Sequence, residues 1–148
     1  MKANIIFCLF LAVLLNACGL IDQTIKLQVK TDKNINQNIY NHSAPIVLNF
    51  YQLSSLSKVN SNSLERLMSS TNDISPQLLA SKEITLRPKE KLNINLQINK
   101  NAKYLLIFAE FRHPGPTGWK EIIDLENINT HEINIYIKNN KLIIKERT

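Results

Sequence analysis

Leu92-Asn93-Ile94-Asn95-Leu96-Gln97-Ile98 alternates without a break, with an aliphatic side chain at every even position and an amide at every odd one. Successive side chains of a strand point to opposite faces, so this heptapeptide has one wholly apolar face and one wholly polar face. It therefore belongs to a sheet that is wet on one side. The same period recurs upstream, where Ile25, Leu27 and Val29 alternate with Lys26, Gln28 and Lys30, and downstream at Ile133, Ile135 and Ile137. Leu142 to Ile144 follow after Asn139-Asn140, a dipeptide that tolerates the positive φ angles of a tight hairpin turn, so the last two strands are expected to pair.

Two further runs have a different pattern. Tyr104 to Phe111 is almost continuously apolar and rich in β-formers, as expected of a central strand covered on both sides, and Pro45 to Leu53 mixes the two patterns. With Ile84 to Leu86 and Trp119 to Leu125 the count reaches about eight strands, enough for two packed sheets: the expected fold is an all-β sandwich. One stretch departs from it. Leu64, Leu67 and Met68 recur at helical spacing within Ser63 to Ser70, with Ser63 as the cap, and a further helical turn is expected over Pro76 to Leu79, with Ser75 as its cap. This short helical insertion would lie outside the sandwich or close one of its ends.

The first seventeen residues have another purpose. Lys2 supplies a positive start, Ile5 to Leu15 form an apolar run too short for a permanent transmembrane helix, and Leu15-Asn16-Ala17-Cys18 stands at the cleavage position. The segment resembles the bacterial lipoprotein signal, in which the cysteine is acylated on sulfur and becomes the first mature residue. An ordinary secretory peptide with a chance cysteine is the weaker reading, because cysteine, small residue and leucine coincide at the end of the run. The expected organisation is a removed signal over 1–17, a lipidated tether over 18–24 and a sandwich domain over 25–148. By the same resemblance, Gly19, in place of Asp after the cysteine, favours the outer membrane. Cys8 leaves with the signal, so the mature chain has one cysteine, occupied by lipid, which leaves no internal disulfide and no thiolate metal site.

Removing 17 of 148 residues leaves 131, the size of one domain, and the net charge of +6 falls by one with Lys2. The basic excess is spread along the chain, with Lys138, Lys141, Lys145 and Arg147 its one terminal cluster, and no aromatic interleaving points to nucleic acid. Catalysis finds no footing either. His42, His113 and His131 lack metal-ligand spacing to one another or to a carboxylate, and no serine stands in a nucleophile elbow. Three glycines, at positions 19, 115 and 118, cannot build a phosphate-cradling loop. No cofactor is expected beyond the covalent lipid. Arg112 and Trp119 flank a turn-rich link and read as structural, and Glu110 inside an apolar strand needs a partner, for which Arg112 is the expected one.

Taken in order, these motifs resemble the TssJ (SciN) family, the outer-membrane lipoprotein of type VI secretion systems. After the cysteine and a first strand come an Asn-containing loop (34–44), Pro45, and Val47-Leu48-Asn49-Phe50-Tyr51-Gln52-Leu53. Then follow Leu86-Arg87-Pro88, the alternating strand Leu92 to Ile98, Ala109-Glu110-Phe111-Arg112 and Trp119-Lys120. Glu110 and His113 depart from the family pattern. The resemblance implies a transthyretin-like sandwich with added helices, facing the periplasm, that anchors the trans-envelope complex. It also implies a partner, the periplasmic C-terminal domain of TssM, with multimerisation within the complex left open. The rival function is a free-standing β-sandwich lipoprotein that binds a small ligand, a glycan or a foreign enzyme as an inhibitor.

The loop Asp32 to Ala44 carries Ile35, Ile39 and Tyr40 among amides with no strand period. Exposed apolar side chains on a loop suit a protein interface, and tyrosine is favoured there. On the residues alone these side chains can equally fold back over an open end of the sandwich. The resemblance implies partner contact, through Asn34, Ile35, Asn36, Gln37, Asn38, Ile39, Tyr40 and Asn41. On this reading Tyr40→Ala, or deletion of Asn36 to Asn41, weakens TssM binding and leaves unfolding unchanged.

Overall fold

A computed structural model describes residues 23–57, 59, 74–128 and 131–146. Among them the chain forms β1 (Gln23–Thr31), β2 (Ile46–Leu53), β3 (Leu78–Leu86), β4 (Lys91–Ile98), β5 (Tyr104–Ala109), β6 (Lys120–Asp124), β7 (Glu132–Lys138) and β8 (Lys141–Glu146). Two four-stranded sheets result, ordered β4-β1-β7-β8 and β3-β2-β5-β6. Every pairing is antiparallel except β1 with β7, where Leu27 stands opposite Ile133 and Val29 opposite Ile135.

The alternating stretches build the first sheet. Ile25, Leu27, Val29, Ile94, Leu96, Ile98, Ile133, Ile135, Ile137 and Leu142 are all buried, while the polar residues between them face outward. β7 and β8 pair as the sequence implied, and Asn139 (φ 48) and Asn140 (φ 54) adopt the left-handed angles of a two-residue hairpin.

The apolar stretch β5 and the mixed stretch β2 are the two inner strands of the second sheet, buried on both faces. One face meets the first sheet: Gln52, on the side of Leu105, donates from Nε2 to the Gln97 carbonyl (2.8 Å) and accepts from the Asn99 N–H (2.7 Å). The other face carries Tyr51 and Phe108, whose rings meet edge to face with centroids 5.1 Å apart. Residues of the β2–β3 connection cover it. Val59 and Ile74 are fully buried in the same cluster, and the Val59 carbonyl accepts from Lys120 Nζ (3.5 Å) beside Phe108. Burial there pushes the Lys120 ammonium pKa down.

Several local expectations need adjustment. The stretch 63–70, with its helical spacing, lies outside the described residues, as do the leader and Cys18. The turn expected over Pro76 to Leu79 is a single 3-10 turn, Ser75–Gln77, with Ile74 before it and no side-chain cap; Leu78 is already extended (φ -78, ψ 114), so the chain enters β3 before a second turn can form. β1 starts at Gln23, two residues ahead of the expected domain start, because Gln23 and Thr24 still find partners in Ile98 and Gln97. Glu110 does not pair with Arg112. Its Oε1 accepts from Asn49 Nδ2 (2.8 Å), and Arg112, just beyond the strand end, is exposed.

Candidate functional site

The connection between β1 and β2 crosses from one sheet to the other at an end of the sandwich, and its residues divide into two sets. The first set fastens it. Ile35 is fully buried in the core, and the Ala44 N–H donates to the Ile35 carbonyl (3.2 Å), closing the loop above it. Asn36, only 5% exposed and at φ 48, spends its whole amide on backbone: Nδ2 donates to the Pro45 carbonyl (2.6 Å) and Oδ1 accepts from the Arg112 N–H (2.8 Å). The entry to β2 and the exit from β5 are thereby tied to one side chain. Asparagine suits both tasks, since it tolerates the left-handed region and offers a donor and an acceptor.

At the tip, Asn38 Oδ1 accepts from the N–H groups of both Tyr40 and His42 (2.9 Å each), the Asn41 N–H donates to the Asn38 carbonyl (2.9 Å), and Gln37 Nε2 donates to the Asn41 carbonyl (3.0 Å). Asn41, at φ 61, makes the reversal. At the base, Ser43 Oγ donates to the Lys33 carbonyl (2.8 Å) and the Lys33 N–H to Asp32 Oδ1 (2.6 Å).

The second set is presented. Ile39 and Tyr40 are 75% and 72% exposed, by far the most exposed large apolar side chains among the described residues. They do not fold back over the sandwich. Asn34 and Asn41 are exposed and Gln37 and Asn38 half-buried, so of the eight sequence-singled residues six reach solvent in some measure, and Ile35 and Asn36 hold the frame. Composition could not make that division, because it depends on which amides find backbone partners 9 and 76 residues away. Asn36→Ala removes both bonds and leaves alanine at a positive φ, so the expected cost is about 2 kcal/mol, or a fall in Tm of about 6 °C, read by thermal unfolding. For the same reason deletion of Asn36 to Asn41 also lowers stability, and single-residue changes at the tip are the cleaner test.

Elsewhere, perturbed titratable groups are scattered. Burial, with Glu110 and Glu83 nearby, holds the Tyr51 phenol above its ordinary pKa, and the Asn127 amide holds Asp124 below the usual carboxylate value. Among the described residues no three His, Cys, Asp or Glu side chains come together as metal ligands, and His42, His113 and His131 are exposed. Trp119 is buried in the core, and no helix among the described residues is long and apolar enough to cross a membrane.

The family model described as Type VI secretion lipoprotein, VasD, EvfM, TssJ matches residues 23–140. The chain belongs to this family. No curated protein matches it in sequence. Among solved structures, the T6SS lipoprotein TssJ1 from Pseudomonas aeruginosa is similar with a TM-score of 0.78 at 19% identity, over 86% of this chain and 98% of that one. A chain of a structure described as the type VI membrane complex gives 0.77 at 19% identity, over 84% and 99%. A chain of a structure described as the T6SS protein TssM C-terminal domain from EAEC gives 0.73 at 19% identity, over 86% and 100%. At such identities the likeness speaks for the fold, which is that of a TssJ lipoprotein. The matched span runs from the first residue of β1 to the β7–β8 turn and so includes the whole 32–44 loop.

Proposed function

We propose that this chain is the outer-membrane anchor of a type VI secretion trans-envelope complex: lipid on Cys18 holds the membrane, and the 32–44 loop grips the periplasmic C-terminal domain of TssM. No step of this function is catalytic. The observation that carries the reading is the exposed pair Ile39 and Tyr40 on a loop whose backbone is otherwise tied down by its own amides. A protein that displays apolar side chains from a pre-shaped loop loses little conformational entropy on binding. Family membership, and likeness to chains in structures of the type VI membrane complex and of the TssM C-terminal domain, support the choice of partner.

The loop acts by shape and apolar contact. Ile39 and Tyr40 supply area, the Tyr40 hydroxyl and the exposed Asn34 and Asn41 amides supply hydrogen bonds, and the clamp at Asn36 passes load from the loop into both β2 and β5. Affinity purification of the tagged protein from solubilised envelopes is expected to recover a TssM chain. Recovery of this chain alone, from cells that contain TssM, overturns the reading.

A further inference from the structure

We propose that the outward face of the β4-β1-β7-β8 sheet docks on an anionic phospholipid surface and lays the domain against the membrane that holds its tether. The proposal rests on the anchor reading for the position of that membrane. Lys30, Lys33, Lys89, Lys138 and Lys145 line a shallow concavity of about 550 Å³ on this side, with Tyr136 and Ile143 among its walls. The register puts Lys30, Tyr136 and Ile143 in one cross-strand row, and the Lys145 ammonium lies 6.0 Å from the Tyr136 ring centre. Tyr136 and Ile143, at 36% and 39% exposure, are the other two exposed large apolar side chains among the described residues.

The charge on this face is arranged against its own stability. Lys30 stands opposite Lys91 and Lys138 opposite Lys141, like-charge pairs that neighbouring strands ordinarily avoid. The ion pair of Lys103 with Glu126 lies elsewhere, and none of these lysines forms an ion pair with another described residue. Two carboxylates lie on this side: Glu132 accepts from the Gln28 amide (2.6 Å), and Asp32, on the wall of the concavity, accepts from the Lys33 N–H (2.6 Å). The rest of the face is an array of amides, Asn93, Asn95 and Gln97 on β4 and Gln28 and Asn134 beside them. Lysines without partners, hydrogen-bonding amides, and a tyrosine and an isoleucine at the level of the ammonium groups match the chemistry of phosphate headgroups over acyl chains.

The tether favours a bilayer over an acidic protein as the occupant. Gln23 opens β1 in this same sheet five residues after Cys18, and five residues reach at most about 18 Å. An acylated Cys18 therefore holds the Gln23 end of β1 within reach of the headgroups, and with the sheet lying flat on them Lys30 and the concavity, at the other end of β1, meet the same surface. Docked in this way, the base of the 32–44 loop, at Asp32 and Lys33 on the concavity wall, faces the headgroups, while its tip residues Ile39 and Tyr40, which do not line the concavity, are left for the partner.

The test uses the mature lipidated protein on vesicles of phosphatidylcholine alone or of phosphatidylcholine mixed with phosphatidylglycerol, with lysine acetylation read by mass spectrometry. On the anionic vesicles acetylation of Lys30, Lys138 and Lys145 is expected to fall several-fold and to recover in high salt, while Lys82 and Lys103 stay unchanged. The triple variant Lys30→Glu, Lys138→Glu, Lys145→Glu, at exposed positions that leave the core intact, should label Lys26 and Lys91 equally on both vesicles. Equal acetylation of the wild-type face on both vesicles overturns the proposal, as does protection that arises only when an acidic soluble protein is added. Flotation on neutral vesicles reads the acyl anchor alone. A chain that floats on both vesicle types without lysine protection keeps the anchor and loses the docking face; one that floats only on anionic vesicles, with protection, keeps the face and loses the anchor.

Discussion

Cys18→Ser is expected to move the protein out of the membrane pellet and into the soluble periplasmic fraction. On the proposed reading the sulfur is the atom acylated, and each methylene sunk in the bilayer contributes about 0.8 kcal/mol, so several long chains make detachment very slow. Loss of the thioether removes that whole contribution, and among the described residues no transmembrane helix replaces it. The proposed docking of the lysine-rich face is driven mainly by charge, so fractionation is done after a high-salt wash that screens it. The same substitution behind an ordinary cleavable secretory signal separates release from retention through an uncut leader. A salt-washed Cys18→Ser protein that stays wholly in the pellet behind that signal contradicts the anchor.

The second large effect is at the loop tip. Ile39→Ala with Tyr40→Ala is expected to weaken binding of the TssM C-terminal domain by more than about 100-fold, the scale of two interface side chains worth roughly 1.5 to 2 kcal/mol each. Unfolding free energy should move by less than about 0.5 kcal/mol, because both side chains are largely in water and the Tyr40 and His42 N–H bonds to the Asn38 amide that shape the tip are left in place. Calorimetric titration and a thermal melt on the same preparation read the two quantities. A lost affinity together with a lowered Tm places these residues in the frame instead. Asn36→Ala is the converse variant, expected to lower Tm first and affinity as a consequence.

Periodicity carried most of the architecture. Strand order along the chain, the wet and dry faces of β1, β4 and β7, and the doubly covered β2 and β5 all follow from period-two alternation or from its absence, since burial on one or both faces decides which side chains a strand can carry. Tertiary partners decided the rest. Glu110 looked toward Arg112 two residues away, yet the strand ends at Ala109 and the neighbouring strand brings Asn49 within 2.8 Å. Ser75 looked like a cap, yet the turn is too short to use one. In the 32–44 loop, sequence composition named the apolar residues, but burying Ile35 while displaying Ile39 and Tyr40 is the work of Asn36 and Asn38, whose partners are set by chain reversal and not by pattern. The basic face was visible as scattered lysines; only the register of β4, β1, β7 and β8 puts them on one side.

As proposed, this chain is a fixed peg whose 32–44 loop holds TssM. A photo-crosslinking amino acid in place of Tyr40, expressed in cells with an intact secretion system, tests it most directly. One dominant ultraviolet-dependent product joining this chain to TssM is expected. Efficient crosslinking at that position to other envelope proteins and none to TssM, with TssM present, would contradict it.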